Sequence, residues 1–287
     1  MDLSGIGIWD QRLRTGDPAE IADDAAELES LGYSALWIHD LGGDVFGALQ
    51  RLLQATSTVT VATGILNLWM HPADEVGARR AELVAAHGAR LMLGIGVSHA
   101  PIVDAKAPGR YQTPMETMNA YLDGLDAAPS PVPAGERMLA ALPPKMIELA
   151  GRRTRGAFPY NMTPEHTARA RELLGPGGLL ATEQKVVLER DGATAREIAS
   201  RHLANYFRLP NYVNAWKWLG FGDDDLAGGG SDRFLDALVA WGDEEAIAGR
   251  IAEHRAAGAD HVCIQALADD AKGVRETWRA LAPVLLR

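Results

Sequence analysis

Leu28-Glu29-Ser30-Leu31-Gly32-Tyr33-Ser34-Ala35-Leu36-Trp37-Ile38 joins the end of a helical stretch to a short apolar strand through one glycine and two further residues. The same joint returns at Ala85-Ala86-His87-Gly88-Ala89-Arg90-Leu91-Met92-Leu93. It returns again at Arg255-Ala256-Ala257-Gly258-Ala259-Asp260-His261-Val262-Cys263-Ile264. Gly just past a helix end suits the left-handed cap, which strains other residues. Repeated helix-to-strand joints imply parallel strands, because each parallel pair needs a crossover.

The helix starts read as clearly. Asp17-Pro18-Ala19-Glu20 is an N-cap, a proline in the first turn and an acidic third residue, and Thr113-Pro114-Met115-Glu116 repeats the form. Thr194-Ala195-Arg196-Glu197 reads as a capping box and Thr163-Pro164-Glu165 as a partial one. After Pro18, Ile21, Ala25, Leu28 and Leu31 share one helical face.

Between the helices stand eight short apolar runs: 6–9, 35–38, 59–64, 91–96, 138–142, 156–158, 179–188 and 261–266. They lack strict alternation, as expected of strands covered on both faces. Eight βα units in 287 residues average about 36 residues each, which suits a (β/α)8 barrel better than a doubly wound open sheet. No Gly-rich phosphate fingerprint opens the first unit, where Trp9-Asp10-Gln11-Arg12 stands instead. The expected fold is therefore α/β, a single (β/α)8 barrel domain over 1–287, with insertions after strands four and seven. Val97–Gln112 reads as a loop excursion. Asn205–Asp232 reads as an insertion, helical to Leu219 and then loose, whose Trp, Tyr and Phe either wall an apolar pocket or pack on the barrel or on a second subunit.

Composition narrows the function. Lys plus Arg number 28 and Asp plus Glu 38, a net charge of −10. That balance argues against nucleic acid and anionic membrane surfaces as partners. A lone Cys263 excludes a disulfide scaffold. No apolar run approaches a membrane span, and Met1–Gly5 has neither the basic flank nor the apolar core of a signal peptide, so a cytoplasmic protein is expected. No metal constellation has convincing spacing, and no Gly-x-Ser-x-Gly elbow or Walker loop occurs.

In a barrel of this kind the chemistry sits at the carboxyl ends of the strands. The polar residues expected there are Asp10, His39, Asp40, Asn67, His71, Ser98, His99, Tyr160, Asn161 and Gln265. His39-Asp40 ends strand two. Adjacent positions on extended chain point opposite ways, so at most one should face the barrel axis. Gly94 and Gly96 in strand four imply close approach by a backbone or a ligand. His71 before Pro72 reads as the start of a helix, and Trp9, Trp37 and Trp69 as packing. Lys145, Arg152, Arg153 and Arg155 precede strand six, so they are expected at the opposite end of the barrel, beside a helix C-terminus.

At these residues the chain resembles a known family. Gly5–Trp9, Ala26–Trp37, Val59–Pro72 and Arg90–His99 look like the luciferase-like monooxygenase superfamily. So do Thr163–His166, Asn205–Leu219, Leu226–Arg233 and Gly258–Val262. The set is most similar to the actinobacterial branch that uses the deazaflavin coenzyme F420. The resemblance implies a barrel with a flavin-like ring across the strand tips. It implies a bulge with a non-prolyl cis peptide at Gly64-Ile65 behind the ring, with Gly96, Val97, Ser98 and His99 beside it and Pro159, Tyr160 and Asn161 near the phosphate. His39 falls where an acidic residue often stands, Asp40 where a catalytic His can stand, and His99 where some relatives have Glu. These three are the expected catalytic candidates, and exchanging a carboxylate for His changes the pH at which a proton moves. Lys106 and Arg110 are candidate partners for a bound anion.

The expected activity is hydride transfer between F420 and a small organic substrate. The alternatives are an FMN-dependent monooxygenase and a barrel that binds flavin without turnover. Likeness alone implies a homodimer.

Overall fold

In the structure, a computed structural model describing residues 1 and 3–286, the Asp17 carboxylate accepts hydrogen bonds from the backbone N–H groups of Ala19 and Glu20. Pro18 fills the first turn, and the helix runs Pro18–Leu31. Gly32 ends it with φ 99°, and Ile21, Ala25 and Leu28 are buried. The chain then enters a strand, as the joint predicts.

Among the described residues there are nine strands: β1 (Ile6–Trp9), β2 (Ala35–Ile38), β3 (Thr60–Asn67), β4 (Leu91–Gly96), β5 (Arg137–Leu139), β6 (Gly156–Ala157), β7 (Leu179–Leu188), β8 (Val239–Gly242) and β9 (His261–Ala266). All the pairings between them are parallel. β1 to β7 pair in order, β7 pairs with β9, and β9 with β1, which closes a ring of eight. This is the (β/α)8 barrel. β8 stands outside the ring: Val239–Gly242 pair with Lys185–Leu188, beyond the point where β6 leaves β7.

Inside the ring, Trp9, Trp37, Met92, Met138, Phe158 and Cys263 form one buried cluster. Their strand neighbours Ile8, Leu36, Val61, Leu93 and Ile264 face outward and pack under the helices in a second cluster. A third cluster lies apart, over the strand tips beside β7, and is built on Tyr212, Trp216, Phe221, Phe234 and Leu235.

Several expectations need correction. β8 went unread because Phe234-Leu235-Asp236-Ala237-Leu238 gives Val239 a helical context, and the helix Asp232–Leu238 does end directly at the strand. β3 runs on to Asn67, while the fifth and sixth strands are shorter than expected. Val97–Gln112 holds a helix, Ala100–Lys106.

The second half of Asn205–Asp232 is not loose. Helices span Pro210–Trp218, Asp223–Leu226 and Asp232–Leu238. The Asp225 carboxylate ties them together by accepting from Gly222 N–H, the Ser231 hydroxyl and the Arg233 guanidinium. Helix Gly192–Leu203 is capped by Asp191, whose carboxylate accepts from the N–H and hydroxyl of Thr194, so the cap lies upstream of the expected box. Lys145 lies in the first turn of helix Pro144–Arg153, at the strand-tip end of the barrel. Arg153, in its last turn, pairs with Asp123 at 2.7 Å and Asp126 at 3.0 Å at the other end.

Candidate active site

β3 carries the distortion that shapes the site. Gly64 pairs with Gly94 but Leu66 with Ile95, so Ile65 is an extra residue in the ladder, a bulge. The Gly64–Ile65 peptide is cis. Trp9 Nε1–H donates to the Gly64 carbonyl at 2.8 Å. A Cβ on Gly94 would stand 2.1 Å from the Thr63 carbonyl oxygen, and one on Gly96 2.9 Å from Ile65 Cδ1. The glycines of β4 therefore answer to β3: a backbone approaches the first and the bulged side chain the second.

Beside the bulge opens a cavity of about 560 Å³. Its strand-tip wall includes Trp9, His39, Asp40, Gly64, Ile65, Asn67, Gly96, Val97, Ser98 and His99. Tyr160, Tyr206, Leu209, Asn211, Tyr212 and Trp218 form the facing wall, from β6 and the helical lobe after β7. The strand tips thus share one hollow. His39 and Asp40 both border it, against the alternation argument, because β2 ends at Ile38 and the chain is no longer extended sheet.

Pro159 and Asn161 do not border the cavity. Both are buried behind it. Asn161 N–H donates to Glu183 Oε2 at 2.9 Å, and its carbonyl accepts from Trp216 Nε1 at 3.1 Å, so it fastens the lobe to the barrel. Asp10 is engaged by the Arg12 guanidinium, and Gln265 accepts from the Tyr160 hydroxyl at 2.9 Å. Lys106 and Arg110 are exposed and outside the lining, Arg110 lying 5.2 Å from the Trp69 ring centroid. Trp37 is packing, stacked 4.4 Å from Phe158.

Electrostatics sort the titratable groups. Burial raises the affinity of Asp40 for a proton, but the His71 ring at 2.9 Å and the backbone N–H groups of Asn67 and Gly42 outweigh it, so the carboxyl is held below its usual range. Asp40 is an ionised, fully engaged anchor between the tips of β2 and β3. Burial pushes His99 down to about 4. His39 is also lowered, by burial and then by the charge of Arg14. Both rings are therefore neutral near pH 7, and Nδ1 of each is buried without a hydrogen-bond partner among the described residues. A flat, apolar ring would fit against the bulge, and the two orphaned nitrogens offer polar contacts to whatever lies on it.

Sequence reasoning missed the Asp40–His71 pair, while the Tyr206–Tyr212 wall is the first of the roles open to the aromatic insertion. His71-Pro72 begins a helix as read, with Ala73–His87 following, yet its ring turns back onto Asp40. The tyrosines sit in the recognised insertion, where their number was the available signal.

The comparisons agree with this architecture. No curated protein matches the chain. Among solved structures it is similar to an F420-dependent secondary alcohol dehydrogenase in complex with an F420–acetone adduct: TM-score 0.72, 15% identity, 97% of this chain and 98% of that one. It is similar to the coenzyme F420 dependent tetrahydromethanopterin reductase of Methanopyrus kandleri, with TM-score 0.70, 16% identity and coverage of 99% and 100%. It is also similar to the oxygenating constituent of 3,6-diketocamphane monooxygenase of Pseudomonas putida in complex with FMN, with TM-score 0.72, 12% identity and coverage of 99% and 98%. The model of the luciferase-like monooxygenase family matches residues 4–261, and the chain belongs to that family of oxidoreductases and monooxygenases.

Proposed function

We propose that the chain is an F420-dependent oxidoreductase that moves a hydride between the deazaflavin and a small organic substrate. The observation that carries this reading is the pair of orphaned imidazole nitrogens, on His39 and His99, around one hollow beside the Gly64–Ile65 bulge. The two F420-dependent proteins of the same fold support the choice of ring. When bound, the deazaflavin supplies the carbon that accepts or gives the hydride.

The protein supplies position and a proton path. Gly64, Ile65, Gly96, Val97 and Ser98 would back the ring, and Tyr160 would face it. His39 and His99, as neutral rings, can hold a substrate oxygen and take or return its proton. Asp40 does not trade protons in this scheme, because three donors already occupy its carboxylate. It acts as a positioning residue that keeps His39 beside the bulge. Pro159 and Asn161, behind the wall, would act through the placement of Tyr160. The apolar lobe wall excludes water and suits a small organic substrate.

Titration of the purified chain with F420 and with FMN, followed by ring fluorescence, tests the reading. F420 should bind at least tenfold more tightly. Equal weakness of the two removes the proposal, and oxygen uptake with reduced FMN replaces it with a monooxygenase, the reading favoured by the FMN-bound relative. The family likeness also leads us to propose a cytoplasmic homodimer, whose mass native mass spectrometry would read directly.

A further inference from the structure

Lys185 and Gln265 lie level with each other inside the barrel, just below the cavity. Lys185 on β7 is the register partner of Gln265 on β9. Ala181 and Cys263 belong to the inner cluster of the barrel, and alternation puts Glu183, Lys185 and Gln265 on that same side. Both Lys185 and Gln265 address Tyr160. Gln265 Oε1 accepts from the Tyr160 hydroxyl at 2.9 Å, and the Tyr206 hydroxyl meets the same group at 2.8 Å. Lys185 Nζ stands 3.9 Å from the centroid of the Tyr160 ring and 5.3 Å from that of Tyr206. Tyr160 and Tyr206 border the cavity and Lys185 does not, so the rings stand between the ammonium and the hollow.

The hydride chemistry does not use this charge, and a buried ion pair is costly to keep. Its counterion is Glu183, also buried, with Oε1 at 3.1 Å. Glu183 grips the turn that carries Tyr160 as well. Its Oε2 accepts from Asn161 N–H at 2.9 Å, and its own N–H donates to the Pro159 carbonyl at 3.2 Å. Because β7 runs toward the strand tips, Glu183 sits deeper than Lys185, and the positive end of the pair lies nearer the cavity. Burial works against the charge on each partner, while the Glu183 carboxylate and the two tyrosine faces favour the charged form of Lys185. An ammonium on one face of an aromatic ring draws electron density toward itself and leaves the opposite face poorer. Such a face suits an electron-rich neighbour and penalises an electron-poor one.

We propose that Lys185 is a positioning residue for Tyr160, and that the charge it holds behind this ring makes the site bind the reduced, electron-rich form of its ring cofactor more tightly than the oxidised form. The proposal rests on the flat-ring reading above and adds a preference between two states of one molecule. Gln265 serves the same end by fixing the Tyr160 hydroxyl, which keeps the ring over the ammonium. In a dry interior the field of the ammonium reaches further than it would in water.

Anaerobic titrations of the purified chain with F420 and with its reduced form, followed by ring absorbance and fluorescence, test it. The unaltered protein should bind the reduced form about tenfold more tightly. Lys185→Met combined with Glu183→Gln removes both charges together and keeps an acceptor for Asn161 N–H, and it should bring the two affinities within about threefold of each other. Gln265→Leu leaves the ion pair in place and frees the Tyr160 hydroxyl, so the preference should shrink by about threefold even if the double variant fails to fold. Equal affinities in the unaltered protein, or a preference that Gln265→Leu and any folded double variant leave unchanged, overturn the proposal while the flat-ring reading stands. Failure of both forms to bind overturns both.

Discussion

The two walls of the cavity are made by different means. The strand-tip wall is fixed by backbone: a bulge in β3, the glycines of β4 that admit it, and Asp40 clasping the Asn67 amide. The lobe wall is fixed by side chains: Trp216, Tyr212, Phe221 and Phe234 in mutual ring contact, hung on the Asn161 carbonyl. A backbone wall tolerates almost no change of volume at its contact points. A side-chain wall can be repacked. The first is suited to holding an invariant ring, the second to varying what lies upon it.

That contrast breaks most sharply at Gly94. Gly94→Val would drive a side chain into the Thr63 carbonyl, which lies 2.1 Å from the position of a Cβ. The expected cost exceeds about 4 kcal/mol, enough to abolish folding, and thermal melts followed by circular dichroism would read it. A folded Gly94→Val with a near-native midpoint would show that the strand-tip wall is as adaptable as the lobe.

Trp216→Ala comes next. The residue is fully buried in the lobe, and its loss should cost about 3–5 kcal/mol of packing. The damage should stay local: ring-binding affinity falls tenfold or more while far-ultraviolet dichroism of the barrel persists. Unchanged affinity would detach the lobe from the site.

Acid should expose His99. Its folded value is depressed to about 4, so the unfolded chain binds the extra proton first as pH falls below about 6.5. Stability is fully present above that value and declines toward pH 4, by about 3 kcal/mol from this residue alone. His166, also near 4, and His254, near 3, act in the same sense. In urea titrations His99→Gln should flatten this slope between pH 6.5 and 4, and an unaltered slope would mean that His99 is charged in the fold.

The smallest effect belongs to Asp40→Asn. The folded carboxyl is held below its usual range, so it stabilises above the ordinary carboxylate pKa and that contribution fades as pH falls through the folded value. The amide would lose a charge-assisted contact to His71, about 1–3 kcal/mol at pH 7 and less at pH 3. An equal deficit at both pH values would point to shape rather than charge.

The barrel was largely legible in the sequence because its rules are local. Gly32, Gly88 and Gly258 mark the joints, and Asp17-Pro18 marks a start, each through steric or capping chemistry confined to a few residues. The glycines of β4 were read from their place inside a strand, and the bulge at Gly64-Ile65 was what the family resemblance implied. The lobe was legible as an aromatic insertion, helical in its first half, with several surfaces open to it. Aromatic residues at helical spacing say that something is buried, not against what, and the Asn161–Trp216 contact spans 55 residues of chain. β8 was lost for a related reason: four residues, Val-Ala-Trp-Gly, carry no strand signal apart from the edge of β7 they join. Asp40–His71 was missed because two chain segments had to meet before either group had a partner.

β8 gives the lobe an unusual attachment. The chain leaves the barrel at the end of β7, builds the lobe, and comes back to lie along the last residues of that same strand, Lys185–Leu188. Departure and return are thus pinned a strand's width apart on one rail, and the returning strand is not one of the staves that keep the cask closed. A lobe mounted in this manner behaves as a cartridge: descent with modification, or an engineer, can exchange it for another reader of molecules while the barrel beneath keeps its shape.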